Sequence, residues 1–513
     1  MKTFMKFLLL ATMLVFTACQ IEEPTQPTIT TIQPQTLPLS KMVFVGNSLT
    51  AGYQSGGLVE DFQRHSYPYF IAQQMGRAST IQMPWLAAPG FGSANTQTGE
   101  AFGPLKYENG QILPGDPVPG GIAGISNLLV QGGNATLSRP YDNLGVPGAK
   151  LHDVLTAYDA TTASSVNPFF NLVLRNPNFG NTTQVQQAQL LAPTLVALWV
   201  GNNDVLGAAL AGGNLSLITP VADFQADYIR LIQEIAKIRD GNVGIVLANI
   251  PNVTDIPYVN LLDNLIYRDV PVPGVGLVKL PVVFGPTFQP VDFDPDPTSV
   301  LYLPLLTAEG IMGGQASPVK HVLLPFLSQY QATGLGVPDS TAIADLLIGA
   351  GYPAPIAAGL AQQAVQGMIA AGLTPSGVPI PGSLTITADE EAGMLAAVTA
   401  FNQVIAGIAG AKIPVVDMNT ALNQLNTSGL DGYSGKFVFF DPANTAFSLD
   451  GVHPNNGGNA IMANLFIDKI NQVLGLAIPK VNTAAYKGQY LGKNITGISP
   501  EAALQARAIF TDF

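Results

Sequence analysis

The chain has 513 residues, of which 47% are hydrophobic and only 11% charged, with 53 glycines and 40 prolines. Soluble domains carry about 25% charged residues, so much of this surface must be neutral and the chain must turn often. Lys and Arg total 22 against 34 Asp and Glu, a balance that repels phosphate backbones and argues against nucleic-acid binding.

The N-terminus carries the first specific signal. Lys2 and Lys6 form a short basic region, Phe7 to Phe16 an apolar one, and the small residues Thr17 and Ala18 precede Cys19, as in a secretory signal. The stretch is too short to span a bilayer comfortably. Cys19 is the single cysteine, so it cannot form an intramolecular disulfide. Phe16-Thr17-Ala18-Cys19 resembles the lipobox of bacterial lipoproteins. That resemblance implies loss of residues 1–18, lipidation of Cys19, and export to the bacterial cell envelope, with the outer membrane as the expected location. Residues 20–39, rich in Thr, Pro and Gln, read as an extended tether. No later segment reads as transmembrane, which leaves lipid as the sole anchor.

From Lys41 onward, short apolar runs alternate with helical patterns, the signature of βα units around a mostly parallel sheet. The expected fold class is α/β, a three-layer α/β/α core. Strands are expected at Lys41–Val45, near Tyr141–Gly145, and at Thr194–Val200, Val243–Asn249 and Ile413–Met418. Thr219-Pro220 opens a helix whose face carries Phe224, Tyr228, Leu231, Ile232 and Ile235 before Gly241. Thr387 with Glu390 fits a capping box ahead of Met394, Val398, Phe401, Ile405 and Ile408. Ala460 to Leu474 reads as a third helix. Two stretches interrupt the alternation. Thr80 to Pro140 is Gly- and Pro-rich and reads as an elaborated loop around a site. Tyr258 to Leu384 reads as a helical, cap-like insertion dividing the core into residues 41–257 and 385–475. Within it Leu346 to Ala388 carries no charged side chain, and Gly349, Gly351, Pro353, Pro355 and Pro375 break it into a hairpin of small apolar residues. Residues 476–513 form a C-terminal extension.

The chemistry concentrates around a serine. Residues 41–53 place Ser48 directly after an apolar strand, with Gly46 and Gly52 relieving the backbone, where a nucleophile sits at the carboxyl end of an open parallel sheet. A serine hydroxyl needs a base. The four candidates are His65, His152, His321 and His453. His453 follows Asp450 in Asp450-Gly451-Val452-His453-Pro454, a spacing that lets the carboxylate meet the imidazole within one turn and fix its tautomer.

Four blocks in order resemble the SGNH (GDSL-type) hydrolases. They are Gly46-Asn47-Ser48-Leu49, Asn143 to Ala149, Gly201-Asn202-Asn203-Asp204, and Asp450 to Pro454. The resemblance spans roughly residues 41–257 and 385–474. It implies Ser48 as nucleophile, His453 as base, Asp450 as its orienting partner, and an oxyanion hole made by the Ser48 and Gly148 N–H groups and the Asn203 side chain. It further implies a carboxylic-ester hydrolase, esterase or lipase, that uses no cofactor and no metal. One departure stands out, because the first block usually reads Gly-Asp-Ser-Leu and here Asn47 replaces the aspartate, keeping the shape but not the charge.

Other candidates have plainer readings. His65, His152 and His321 are expected to be structural, since none has metal-ligand spacing to another histidine. Asp292-Phe293-Asp294-Pro295-Asp296 lacks the glycine and later glutamate of a calcium loop and reads as a solvated acidic turn. Asp204 reads as a structural or capping carboxylate. The charge-free segment invites a sharper expectation, a lid over Ser48 offering apolar surface to acyl chains of a lipid ester substrate. The runner-up activity is carbohydrate O-deacetylation, and the rival of another class is an inactive surface binding lipoprotein.

Overall fold

The computed structural model describes residues 39–272, 276–294, 298, 300–310, 318–488, 497–499, 501–502 and 505. The expected signal sequence, Cys19, the expected tether up to residue 38 and most of the stretch after 488 lie outside the described residues, as does Asp296. The five apolar runs pair into one parallel sheet of β1 (Met42–Gly46), β2 (Asn143–Gly145), β3 (Leu195–Trp199), β4 (Gly244–Ala248) and β5 (Val415–Val416), in the order β5-β4-β3-β1-β2. β5 is far shorter than its apolar run, because only Val415 and Val416 meet the ladder of β4.

Alternate residues of each strand enter opposite cores. Val43, Val45, Val196, Leu198, Ile245 and Leu247 face one, while Met42, Phe44, Leu195, Ala197, Trp199, Val246 and Ala248 face the other. Burial on both faces is what makes these strands read as continuous apolar runs. The helices that bear on the site are α1 (Ser48–Ala51), α2 (Tyr67–Gln74), α3 (Leu151–Thr156), α4 (Gln184–Leu191), α5 (Asn203–Leu210) and α6 (Val221–Ala236). They are joined by α7 (Ser340–Gly349), α8 (Ala354–Ala370), α9 (Ala388–Ala409), α10 (Met418–Thr427) and α11 (Asn456–Leu474). α3, α4, α6 and α9 supply the first core, α2 and α11 the second. The arrangement is compatible with a three-layer α/β/α fold.

The capping signals act as expected. Thr387 N donates to Glu390 Oε2 at 2.7 Å and opens α9, whose Phe401 stacks on Phe224 of α6 at 4.0 Å between centroids. α9 is long and apolar enough to cross a membrane, in contrast to the expectation that no segment after the N-terminus is. Its inner face nevertheless packs here on α6, with Met394, Val398, Phe401 and Ile405 buried. α11 starts at Asn456, four residues before the apolar pattern, because Asn455 caps it by accepting the Gly458 N–H at 3.0 Å.

The two interrupting stretches are more ordered than a loop and a helical cap. Residues 80–140 hold the antiparallel pairs Ser93–Asn95 with Glu100–Phe102 and Lys106–Glu108 with Gln111–Leu113, then the helix Gly121–Gln131. The C-terminal extension returns to this region. Gly497–Ile498 adds a parallel strand beside Gln111–Leu113, and Gln505 bonds Gly103 O and Gly115 N. Residues 258–384 are helical only in part, for they also hold the antiparallel strands Tyr267–Val272 and Gly276–Pro281. The charge-free hairpin is present, but α7 starts six residues before the charge-free run and α8 ends at Ala370, well before the run does.

A buried ion cluster fastens the insertion to the core. His321, on Val319–Val322, bonds Asp263 Oδ2 through Nδ1 at 2.8 Å, and its Nε2 lies 3.3 Å from Glu391 Oε1 of α9, within ion-pair range but off the hydrogen-bond direction. Burial alone would lower the imidazole pKa, yet Asp263 and Glu391 together raise it to about 9. A pKa raised above the unfolded value near 6.5 means a stabilisation that is complete below pH 6.5 and lost as pH climbs through about 9, worth up to about 3 kcal/mol. Thermal melts from pH 6 to 10 are therefore expected to show a falling midpoint that His321→Gln flattens. A wild-type midpoint unchanged across that window contradicts the ion-paired imidazolium.

Candidate functional site

The strand order changes direction between β1 and β3, so their carboxyl ends diverge and open a crevice, as in doubly wound sheets. Ser48 opens α1 just past β1, and Asn203 opens α5 just past β3. The chain leaves β1 without room for a side chain at Gly46, where a Cβ would stand 2.0 Å from Thr50 Oγ1. Gln184 of α4 donates to Gly46 O and Leu144 O at 2.9 and 2.6 Å, tying the ends of β1 and β2 together.

The structure brings Ser48, His453 and Asp450 into one hydrogen-bonded line. His453 Nε2 is 2.9 Å from Ser48 Oγ, and Nδ1 is 2.9 Å from Asp450 Oδ2. All three are buried. Asp450 Oδ1 also accepts from the Val452 and His453 N–H groups at 2.9 Å and from Ser448 Oγ at 3.1 Å, while Oδ2 accepts from Gly56 N at 2.7 Å. Burial pushes the carboxyl pKa up, but His453 and the backbone donors outweigh it and hold it below the usual carboxylate value. An ionised carboxylate only accepts, so the imidazole proton belongs on Nδ1, leaving Nε2 to accept from the serine hydroxyl.

A second cavity wall supplies donors. Ser48, Gly148, Asn203 and His453 line one cavity of about 130 Å³ with Tyr53, Lys150, Ser165 and Phe169. Gly148 has φ +77°, a conformation that suits glycine, and its neighbour Pro147 is fixed by the buried Asn167, whose Nδ2 donates to Pro147 O at 2.7 Å. No described group accepts the Ser48 or Gly148 backbone N–H. Asn203 Nδ2 spends one proton on Ala149 O at 2.9 Å and keeps the other. Asp204 lines neither this cavity nor a second one that opens at the same serine. Its oxygens accept from Leu151 N at 2.9 Å and Thr219 Oγ1 at 2.8 Å, and burial raises its pKa to about 6. It thus ties the start of α3, and with it the Gly148 turn, to α5.

The remaining histidines sit elsewhere. His65 Nδ1 bonds Asp61 O, His152 Nδ1 bonds Asp227 Oδ2, and His321 belongs to the ion cluster. No group of His, Cys, Asp and Glu that could hold a metal exists among the described residues. Asp292 Oδ1 accepts from Asp294 N and Leu301 N, a turn of its own.

The expected lid is not where it was sought. No described residue from 258 to 384 lines either cavity at Ser48. The insertion docks instead behind the Asp450 turn, with Tyr258 N donating to Gly451 O and Leu324 N to Tyr258 O, both at 2.9 Å. Its helical hairpin faces a separate groove of about 1020 Å³. Other contributors were missed altogether. Ser55 N donates to Ser448 Oγ at 2.8 Å and Leu449 N to Ser55 Oγ at 3.3 Å, a reciprocal latch between two distant loops. Tyr53 lays its ring 4.8 Å from the His453 ring and donates to Gly92 O, which is how the 80–140 region supports the site from behind. The positive φ of Ser55 and Gly56 aims successive N–H groups at Ser448 and Asp450; no residue pattern announces that.

Asn47 explains its own place. Its Oδ1 accepts the Leu49 N–H at 3.2 Å, while Nδ2 is buried without a partner. A carboxylate there would put an oxygen where the unpaired amide now sits, with no donor to meet it. Asn47→Asp is therefore expected to lower stability by about 1–3 kcal/mol at pH 8, and by less at pH 5 where the carboxyl can protonate. Equal or higher stability at pH 8 contradicts this. Comparison with family models, curated proteins and solved structures gives no match, so the chemistry has to be read from the site itself.

Proposed function

We propose that the protein hydrolyses carboxylic esters through an acyl-enzyme, with Ser48 as nucleophile, and that it is an SGNH-type serine hydrolase. The observation that carries this reading is the hydrogen-bonded line from Ser48 Oγ through His453 to the buried Asp450 carboxylate.

As the Ser48 oxygen attacks the ester carbonyl, His453 Nε2 takes the hydroxyl proton, and Asp450 stabilises the imidazolium without accepting a proton itself. Negative charge moves onto the carbonyl oxygen, for which the Ser48 and Gly148 N–H groups and the spare Asn203 Nδ2 proton are the donors. His453 then passes its proton to the departing alcohol, leaving an acyl-serine. Water attacks that ester in turn, losing a proton to His453, which returns it to Ser48 Oγ as the acyl–oxygen bond breaks and the acid leaves.

The lipobox-like run ending at Cys19 supports a second part of the proposal, that the enzyme is exported and held by lipid at the bacterial outer membrane. The residues between Cys19 and β1 would let it reach substrates away from the bilayer surface.

Fluorophosphonate labelling tests the chemistry directly. Wild type is expected to form an adduct that Ser48→Ala abolishes, whereas an inactive binding scaffold gives no serine-dependent adduct. In ester hydrolysis, Asn203→Ala is expected to lower kcat by about 10²–10³, and Asp450→Asn by about 10⁴, with KM little changed in both. Losses below threefold in both variants contradict the assignment.

A further inference from the structure

A second cavity, also about 130 Å³, begins at the same serine but leads the other way. It shares Ser48, Asn203, Leu206 and His453 with the first. Beyond them its walls come from α10, α11 and the loop after β4, with Val253, Ile256, Leu422, Leu425, Met462 and Leu465 among them. Asn47 and Asn202 also line it, yet the Asn47 nitrogen and both amide atoms of Asn202 are sealed beneath its surface. No charged side chain contributes to the lining.

The two arms differ in what they can satisfy. A hydroxyl-bearing alcohol buried in the apolar arm would find, beyond the shared residues, only Asn252 to meet its hydroxyls, whereas a polymethylene chain needs no partner. The other arm adds Lys150 and Ser165, beside Tyr53, to the residues the two share. Resting on the esterase reading above, we infer that the arm walled by α10 and α11 receives the acyl chain of the substrate, and that the arm containing Lys150 and Ser165 receives the alcohol. The substrates are then esters of straight apolar acyl chains with a small polar alcohol, and Leu422 and Met462 set the chain length.

The arm gives the reaction a measurable length dependence. Each methylene that enters it strengthens binding about fourfold, so kcat/KM is expected to rise steeply from acetyl to hexanoyl esters. Leu422→Trp, on the half-buried face of α10, fills the arm. It is expected to cut kcat/KM for octanoyl esters at least tenfold more than for acetyl esters, and at least tenfold more than for octyl acetate, whose chain is on the alcohol side. Ala421→Phe provides a second filling variant should the first fold poorly. The same arm should bind decanoate to the Ser48→Ala protein, and Leu422→Trp in that background should abolish the binding.

A flat chain-length profile in an active wild type, equal losses on acetyl and octanoyl esters, or a loss confined to octyl acetate overturns the acyl-arm assignment and leaves the esterase reading standing. Absence of both ester hydrolysis and a Ser48 adduct overturns the esterase reading and this inference with it. Binding of decanoate by Ser48→Ala that Leu422→Trp leaves intact overturns the arm alone.

Discussion

The site depends on one buried negative charge. Asp450 is 1% exposed, and a carboxylate taken out of water is tolerable only if donors replace the water it lost. Here they come from two ends of the chain, the Gly56 N–H from the loop after α1 and the Val452, His453 and Ser448 groups from the turn before α11. Folding therefore cannot satisfy the charge without joining the serine loop to the histidine loop. The interaction that orients the imidazole is also the one that assembles the site.

The sheet provides the frame for that junction. With β1 and β3 adjacent and their following helices sent apart, the Ser48 and Asn203 turns flank one crevice. The cores on both faces make the strands rigid, so the turns are held by packing and not by their own stiffness. The insertion then contributes indirectly. Tyr258 and Leu324 press on the back of the Asp450 turn at Gly451, where an added Cβ would stand 3.0 Å from Leu324 Cδ2, and the His321 cluster ties the same insertion to α9.

Much of this was legible in the residues. Strands buried on both faces announce themselves as unbroken apolar runs, and Thr387 with Glu390 marks a helix start because both groups have a fixed partner to satisfy. Ser48 stood out because it follows an apolar strand, and Asp450 and His453 because three residues of spacing let them meet locally; only the order of the four blocks joined the two ends. The two cavities did not. Leu422, Leu425 and Met462 lie on helices whose periodicity says only that one face is apolar, not whether it covers a core or an opening. The same ambiguity turned the charge-free hairpin into an expected lid, although its small apolar residues serve a groove of their own. Positive φ at Ser55, a non-glycine, leaves no trace in the sequence, so the latch to Ser448 shows itself only in the fold.

The central claim is that the donors lining the first cavity converge on the point where charge develops during attack on an ester. A crystal structure of the phosphonylated protein measures this directly, because the phosphoryl oxygen occupies that point. The account predicts a covalent bond to Ser48 Oγ with that oxygen about 3 Å from the Ser48 N, Gly148 N and Asn203 Nδ2 atoms. An adduct whose oxygen points into solvent, or onto none of the three donors, contradicts it.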